Sequence, residues 1–111
     1  MPHLVFECAS PLASKIDLFE LLKKTHQALC AAPTVDSAAV KSRLFSCDMF
    51  QVGLGESGLF LHGELRLLAG RPLEVRMEIR DAIVKVLKSV IPAGIAFSFE
   101  VREMIPETYY K

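Results

Sequence analysis

What most constrains this chain is an order of periodicities: an apolar run, an amphipathic helical stretch and an alternating stretch, then, beyond a cluster of glycines, the same three again. A strand-helix-strand unit makes its two strands parallel, because a crossover of helix length carries the chain back to the edge it started from. Two such units in succession predict a pseudo-twofold architecture. The opening run Pro2 to Ala9 (PHLVFECA) shows polar side chains only at His3 and Glu7, which predicts a central strand buried on both faces. After the Ser10-Pro11 break, Ser14 with Asp17 three residues on has capping-box spacing. Leu18, Leu22, Thr25 and Leu29, flanked by Leu21 and Ala28, then make one helical stripe. Pro33-Thr34 ends that helix, and Ala39 to Val52 alternates as a second strand.

The segment VGLGESG brings Gly53, Gly55 and Gly58 together and reads as a hairpin loop. Leu59 to Leu68 is a third strand, Ala69-Gly70-Arg71 its exit, and Pro72 occupies the first helical position, where a missing N–H costs nothing. Leu73, Met77, Val84, Leu87 and Ile91 form the stripe of a second helix, with Ile79, Ile83, Val86 and Val90 beside it. Pro92 and Gly94 stop it, and Ala96 to Met104 alternates as the last strand.

The length of 111 residues holds one domain, with pseudo-repeats at about 2–52 and 59–104. The fold class is α+β: two βαβ units forming a four-stranded mixed sheet with two helices on one face. No element remains to cover the other face, and strands this apolar predict that association of subunits covers it. A 51% hydrophobic composition excludes intrinsic disorder. Thirteen basic residues against thirteen acidic ones leave no overall field to draw the chain to nucleic acid or an anionic membrane. The apolar stretches fall well short of the ~20 residues of a membrane span. Cys8, Cys30 and Cys47 are odd in number and lack metal-ligand spacing, so they read as small core residues of a reducing compartment, and a cytoplasmic protein is expected.

Common catalytic patterns are missing: no GxSxG, no phosphate loop, no HExxH, and GLGESG lies between strands instead of opening a helix. His3, His26 and His62 have no ligand spacing, so no metal or cofactor is expected. Three candidates remain. Pro2, once Met1 is removed, would present a secondary amine at the start of a central strand, a proton acceptor if apolar walls and nearby cations lower its basicity toward neutral pH. Arg71 stands where a strand hands over to a helix, a place that already favours anions, and its guanidinium suits a carboxylate. Lys41 and Arg43 lie two apart on a strand, hence on one face, and would hold a second carboxylate.

The opening PHLVFECA, then VKSR, AGRPLEVR and the closing SFEVREMIPETYYK together resemble the 5-carboxymethyl-2-hydroxymuconate isomerases of the tautomerase superfamily, over nearly the whole chain. That resemblance implies a tautomerase-like homotrimer with Pro2 in a pocket between subunits. It also implies cofactor-independent isomerisation of a 2-hydroxymuconate-type dienol acid to its 2-oxo-3-enoate, within aromatic-acid catabolism. Pro2 would be the base, and Arg71, Arg43 and Lys41 would bind the substrate's carboxylates. The family motif resembles IRSR where this chain has VKSR, so Lys41 keeps the charge without the two-pronged guanidinium. Alternatives are another reaction on the same scaffold (decarboxylation, hydration, dehalogenation) or a non-catalytic trimeric ligand-binding protein.

Overall fold

The structure, a computed structural model, describes residues 1–55 and 58–111; residues 56–57 of the glycine cluster lie outside the described residues. Its elements are β1 (His3–Ala9), α1 (Leu18–Cys30), β2 (Lys41–Cys47), β3 (Phe60–Leu68), α2 (Leu73–Val90) and β4 (Ala96–Met104). They build one sheet in the order β2-β1-β3-β4. β1 runs parallel to β2 and β3 parallel to β4, as the two crossovers require, while the central pair β1 and β3 is antiparallel.

That order corrects the hairpin expected at the glycines. β1 lies between β2 and β3, so their connection passes across the end of β1 and cannot join neighbours. Gly53, at φ 55, serves only a local reversal closed by a bridge from Val52 to Gly55. The second strand is also shorter than Ala39 to Val52. β2 sits at an edge and pairs only with β1; the ladder begins at His3 opposite Lys41 and ends at Ala9 opposite Cys47, after which no partner remains.

Helix boundaries follow local chemistry. Asp17 is the cap of α1, its side chain accepting from the Glu20 N–H at 3.1 Å, whereas Ser14 closes a preceding 3-10 turn by donating to the Pro11 carbonyl. Pro72 likewise occupies the cap of α2, one residue ahead of the first helical position. The expected stripes narrow to one central row each: Leu21, Thr25 and Leu29 on α1, and Ile79, Ile83 and Leu87 on α2. Leu73 and Met77, expected in the second stripe, remain 58% and 41% exposed. Thr25 is buried at no polar cost because its hydroxyl donates to the carbonyls of Leu21 and Leu22.

Both rows press on one face of the sheet, against Leu4, Phe6 and Cys8 of β1 and Leu61, Leu65 and Leu67 of β3, all essentially inaccessible to solvent. At the centre Phe6 lies opposite Gly63, and a Cβ on that glycine would come within 2.6 Å of the Phe6 and Phe99 rings. The glycine leaves room for both rings on the helix-covered face of the sheet. Of the cysteines only Cys8 is in the core; Cys30 and Cys47 are half-buried, and all three are free thiols.

The opposite face differs from the apolar surface expected. By the period-two alternation it presents Arg43 of β2, His3 of β1, Glu64 and Arg66 of β3, and Glu100 and Arg102 of β4. Val5, Phe45, Phe60, Leu68 and Met104 share that face, with Phe45 at 55% exposure the largest uncovered group on β2. Among the described residues, no helix is long and apolar enough to cross a membrane.

Candidate functional site

Pro2 is buried, and its carbonyl accepts from the Lys41 N–H at 3.0 Å, so the first residue of β2 is tied to the very start of the chain. Register alone therefore brings two of the candidates together. Arg71 arrives from the other half of the molecule. Its Nε and Nη2 donate, each at 2.9 Å, to the hydroxyl and the carbonyl of Thr34, which holds a φ of 66°, an unusual backbone for a β-branched residue. The guanidinium thus ties the turn after α1 to the β3–α2 junction, and fixes its own position in doing so.

These groups share one electrostatic neighbourhood. The α-ammonium of Met1, directly before Pro2, is held below its ordinary basicity by burial first, then by Lys111, Arg71 and Lys41, with Asp36 acting weakly the other way. Three cations converge on the amino terminus, one of them from the last residue of the chain. Among the described residues Lys41, Arg43 and Arg71 form no salt bridge with a carboxylate, whereas Arg66, Arg76, Arg80 and Arg102 all do. Cations left without counter-charges in one place are a ready anion site.

Arg43 stands one step along the same face. Its Nη1 donates to His3 Nδ1 at 3.1 Å, and His3 Nε2 lies 2.8 Å from the Tyr109 hydroxyl. The structure therefore joins Pro2, Lys41 and Arg71 around the amino terminus, and places Arg43 against the next residue of β1. A concavity of about 500 Å³ around Phe50 to Gly55 contains none of these groups.

Sequence reasoning missed three participants. His3 reads as a satisfied or solvated ring, and Tyr109 and Lys111 as tail, because only the folded chain brings residues 106 positions apart into contact. It also missed a grouping of His62, Glu64 and Glu100, whose potential ligand atoms lie within 4.8 Å of one another. The signal is weak even in three dimensions: Arg66 and Arg102 already neutralise the two carboxylates, and His62 Nδ1 is bonded to the Ser98 hydroxyl.

Residues 2–111 match the protein family described as 5-carboxymethyl-2-hydroxymuconate isomerase. A 5-carboxymethyl-2-hydroxymuconate Delta-isomerase of Escherichia coli is 29% identical over 117 residues, covering 100% of this chain and 93% of the relative. The crystal structure of a 5-carboxymethyl-2-hydroxymuconate isomerase from Deinococcus radiodurans R1 superposes with a TM-score of 0.90 at 28% identity, covering 99% of this chain and 87% of that one. A macrophage migration inhibitory factor-like protein from Entamoeba histolytica shares the fold at 13% identity, with a TM-score of 0.69 over 99% of this chain and 94% of its own.

Proposed function

This chain belongs to the 5-carboxymethyl-2-hydroxymuconate isomerase family, and from that premise we propose that it converts a 2-hydroxymuconate-type dienol acid to its 2-oxo-3-enoate isomer, with the Pro2 nitrogen as the base. The protein is an isomerase of the tautomerase fold. One observation carries the choice of base: the amino terminus is partly buried among Lys41, Arg71 and Lys111. Burial and like charge both disfavour an ammonium, so a secondary amine freed there by loss of Met1 is left with a lone pair near neutral pH.

In the reaction the Pro2 nitrogen takes the proton of the 2-hydroxyl. The oxygen's electron pair becomes the carbonyl bond, the C2–C3 double bond moves to C3–C4, and the pair from C4–C5 accepts the proton at C5 from the prolinium. Atoms and electrons balance with no co-reactant, and the base is returned. Negative charge gathers at the 2-oxygen on the way, where a cationic neighbourhood fixed in advance stabilises it more than it stabilises the neutral enol. Arg71, with the first-turn N–H groups of α2 beside it, holds one carboxylate; Arg43 and Lys41 hold the other.

We infer a homotrimer whose neighbouring subunits wall the site in. Leu73, Met77 and Phe45 are the exposed apolar groups that such an assembly would cover. We place this small-molecule chemistry in the cytoplasm, as a step of aromatic-acid catabolism.

The test follows the ultraviolet absorbance of 2-hydroxymuconate in parent and Pro2→Ala proteins whose intact masses show that Met1 is gone. Loss of the cyclic amine lowers kcat by about 10² or more. A Pro2→Ala protein as fast as the parent, or a fully active parent that retains Met1, refutes the assigned base.

A further inference from the structure

We propose that His3 and Tyr109 form a tautomer lock that holds the Arg43 guanidinium in place for a substrate carboxylate, and that acidification opens it. The lock is a property of the folded chain; its consequence for substrate rests on the carboxylate-binding role given to Arg43 above.

The argument starts from donor and acceptor capacity. A guanidinium only donates, so the 3.1 Å contact from Arg43 Nη1 requires a lone pair on His3 Nδ1. A neutral imidazole with a bare Nδ1 carries its proton on Nε2, and the atom 2.8 Å from Nε2 is the Tyr109 hydroxyl oxygen, which accepts it. The phenol's own proton is left to point elsewhere. The two rings meet edge to face, with centroids 6.1 Å apart and planes at 72°. The Arg43 contact selects the tautomer and the Tyr109 hydroxyl, able to accept as well as donate, accommodates it, so the imidazole is held at both nitrogens.

Tyr109 is well placed for this. It follows the short 3-10 turn Pro106–Thr108, its N–H donates to the Pro106 carbonyl at 3.3 Å, and it is half-buried while the adjacent Tyr110 is 97% exposed. Arg43 uses one nitrogen on His3; its other donors have no protein partner among the described residues and remain for an anion.

Protonation of His3 destroys the arrangement, because an imidazolium has no lone pair for Arg43 and adds a like charge beside it. The groups facing the ring are Lys41 and Arg43 from β2, Arg66 from β3, which is itself bonded to Glu64, the amino terminus, and Tyr109. Burial first and then these cations hold His3 below its ordinary basicity, so the lock is closed at neutral pH and opens only as the pH falls beneath about 6.5. Substrate carboxylates stay ionised over most of that range. The loss of grip therefore belongs to the protein.

Two measurements test the proposal. Nitrogen-15 NMR of the imidazoles reads the tautomer without any substrate: at pH 7.5 the His3 Nδ1 signal should be that of an unprotonated nitrogen and Nε2 that of a protonated one. Tyr109→Phe, which takes the acceptor from Nε2–H, should shift the His3 Nε2 signal, and Tyr110→Phe should not. Steady-state kinetics with 2-hydroxymuconate then reads the consequence: Tyr109→Phe raises KM about three- to tenfold with kcat within twofold. In His3→Asn, whose side-chain oxygen accepts from Arg43 but does not titrate, KM should stay flat as the pH is lowered from 7 through the folded-state value of His3, while the parent's rises. A His3 that is doubly protonated or protonated on Nδ1 at pH 7.5 overturns the lock, even in a chain that turns nothing over. A locked His3 whose removal leaves KM and its pH profile unchanged overturns the role for Arg43. Absence of any parent turnover overturns the isomerase reading instead, and the NMR result still decides the lock.

Discussion

The two strand-helix-strand halves share a backbone and divide the chemistry unequally. Laying the β1–β2 pair on β3–β4 by register matches His3 with Phe60 and Lys41 with Ala96, so Arg43 falls on Ser98. One half carries the cations and the proline at the start of its strands; the other has an alanine and a serine there. Across the rest of the open face the second half pairs its charges internally, Arg66 with Glu64 at 2.6 Å and Arg102 with Glu100 at 3.3 Å. The repeated strand-helix-strand backbone builds a two-layer frame, and charge imbalance at one end of it makes the candidate site. Arg71 is the second half's contribution, and it reaches that end because β3 runs antiparallel to β1 and finishes where β1 begins.

The same superposition places Phe6 on Gly63, which face each other across the central pair, so the axis relating the halves passes between a large residue and an empty one. Perfect repetition at that point would put two rings in the space of one. Gly63→Ala breaks the exception directly, since its Cβ would meet two ring edges at 2.6 Å. The expected cost is about 2–3 kcal/mol of unfolding free energy by denaturant titration. Adding Phe99→Leu should return part of it if crowding is the cause, a coupling that a double-mutant cycle measures. A change below about 0.5 kcal/mol would mean the centre has slack.

Much of this was legible in the letters. Periodicity located all six elements, and β4 appears with the bounds its alternation implies, Ala96–Met104. What failed depended on partners distant in sequence. The glycine cluster signals a reversal but not which strand lies beside which, and the end of β2 is set by where β1 stops. The sheet face expected to be apolar is mixed, because β3 and β4 set charged residues among its apolar ones. At the site, Pro2, Lys41 and Arg71 were legible as candidates from residue type and their places at strand ends, while their meeting at the amino terminus shows only in the fold. His3, Tyr109 and Lys111 were not, because the route of the tail leaves no local pattern.

Arg71→Ala probes a side-chain bridge between the halves. It removes a cation from the amino terminus together with both bonds to Thr34. A lost charge-assisted carboxylate contact is worth about 1.5–3 kcal/mol, so KM should rise by about ten- to a hundredfold, with a smaller effect on kcat. Arg71→Lys separates the two duties: it keeps the charge but not the paired grip on Thr34, and should fall between alanine and the parent. Equal defects in both variants would assign the role to the planar fork rather than to the charge.

The smallest effect tests whether the second half's open face is wet. Glu64 is held below the usual carboxylate range, chiefly by its hydrogen bond from Arg66, with burial opposing. A depressed folded-state value means that the pair contributes stability above the unfolded carboxylate's ordinary value of about 4.5, and that this is lost as the pH falls through the lower folded value. Arg66 is 43% exposed, so water screens the pair, and Glu64→Gln should cost less than about 1 kcal/mol at pH 7, the deficit closing as the pH falls through the folded value. Glu100→Gln should cost less still, because that pair is longer and 63% and 46% exposed. A Glu64→Gln deficit of several kcal/mol would mean that Arg66 is stranded in a dry place. The sheet face would then be sealed by other subunits around these pairs, and the charges that look like a solvated surface on one chain would be the lining of an assembly.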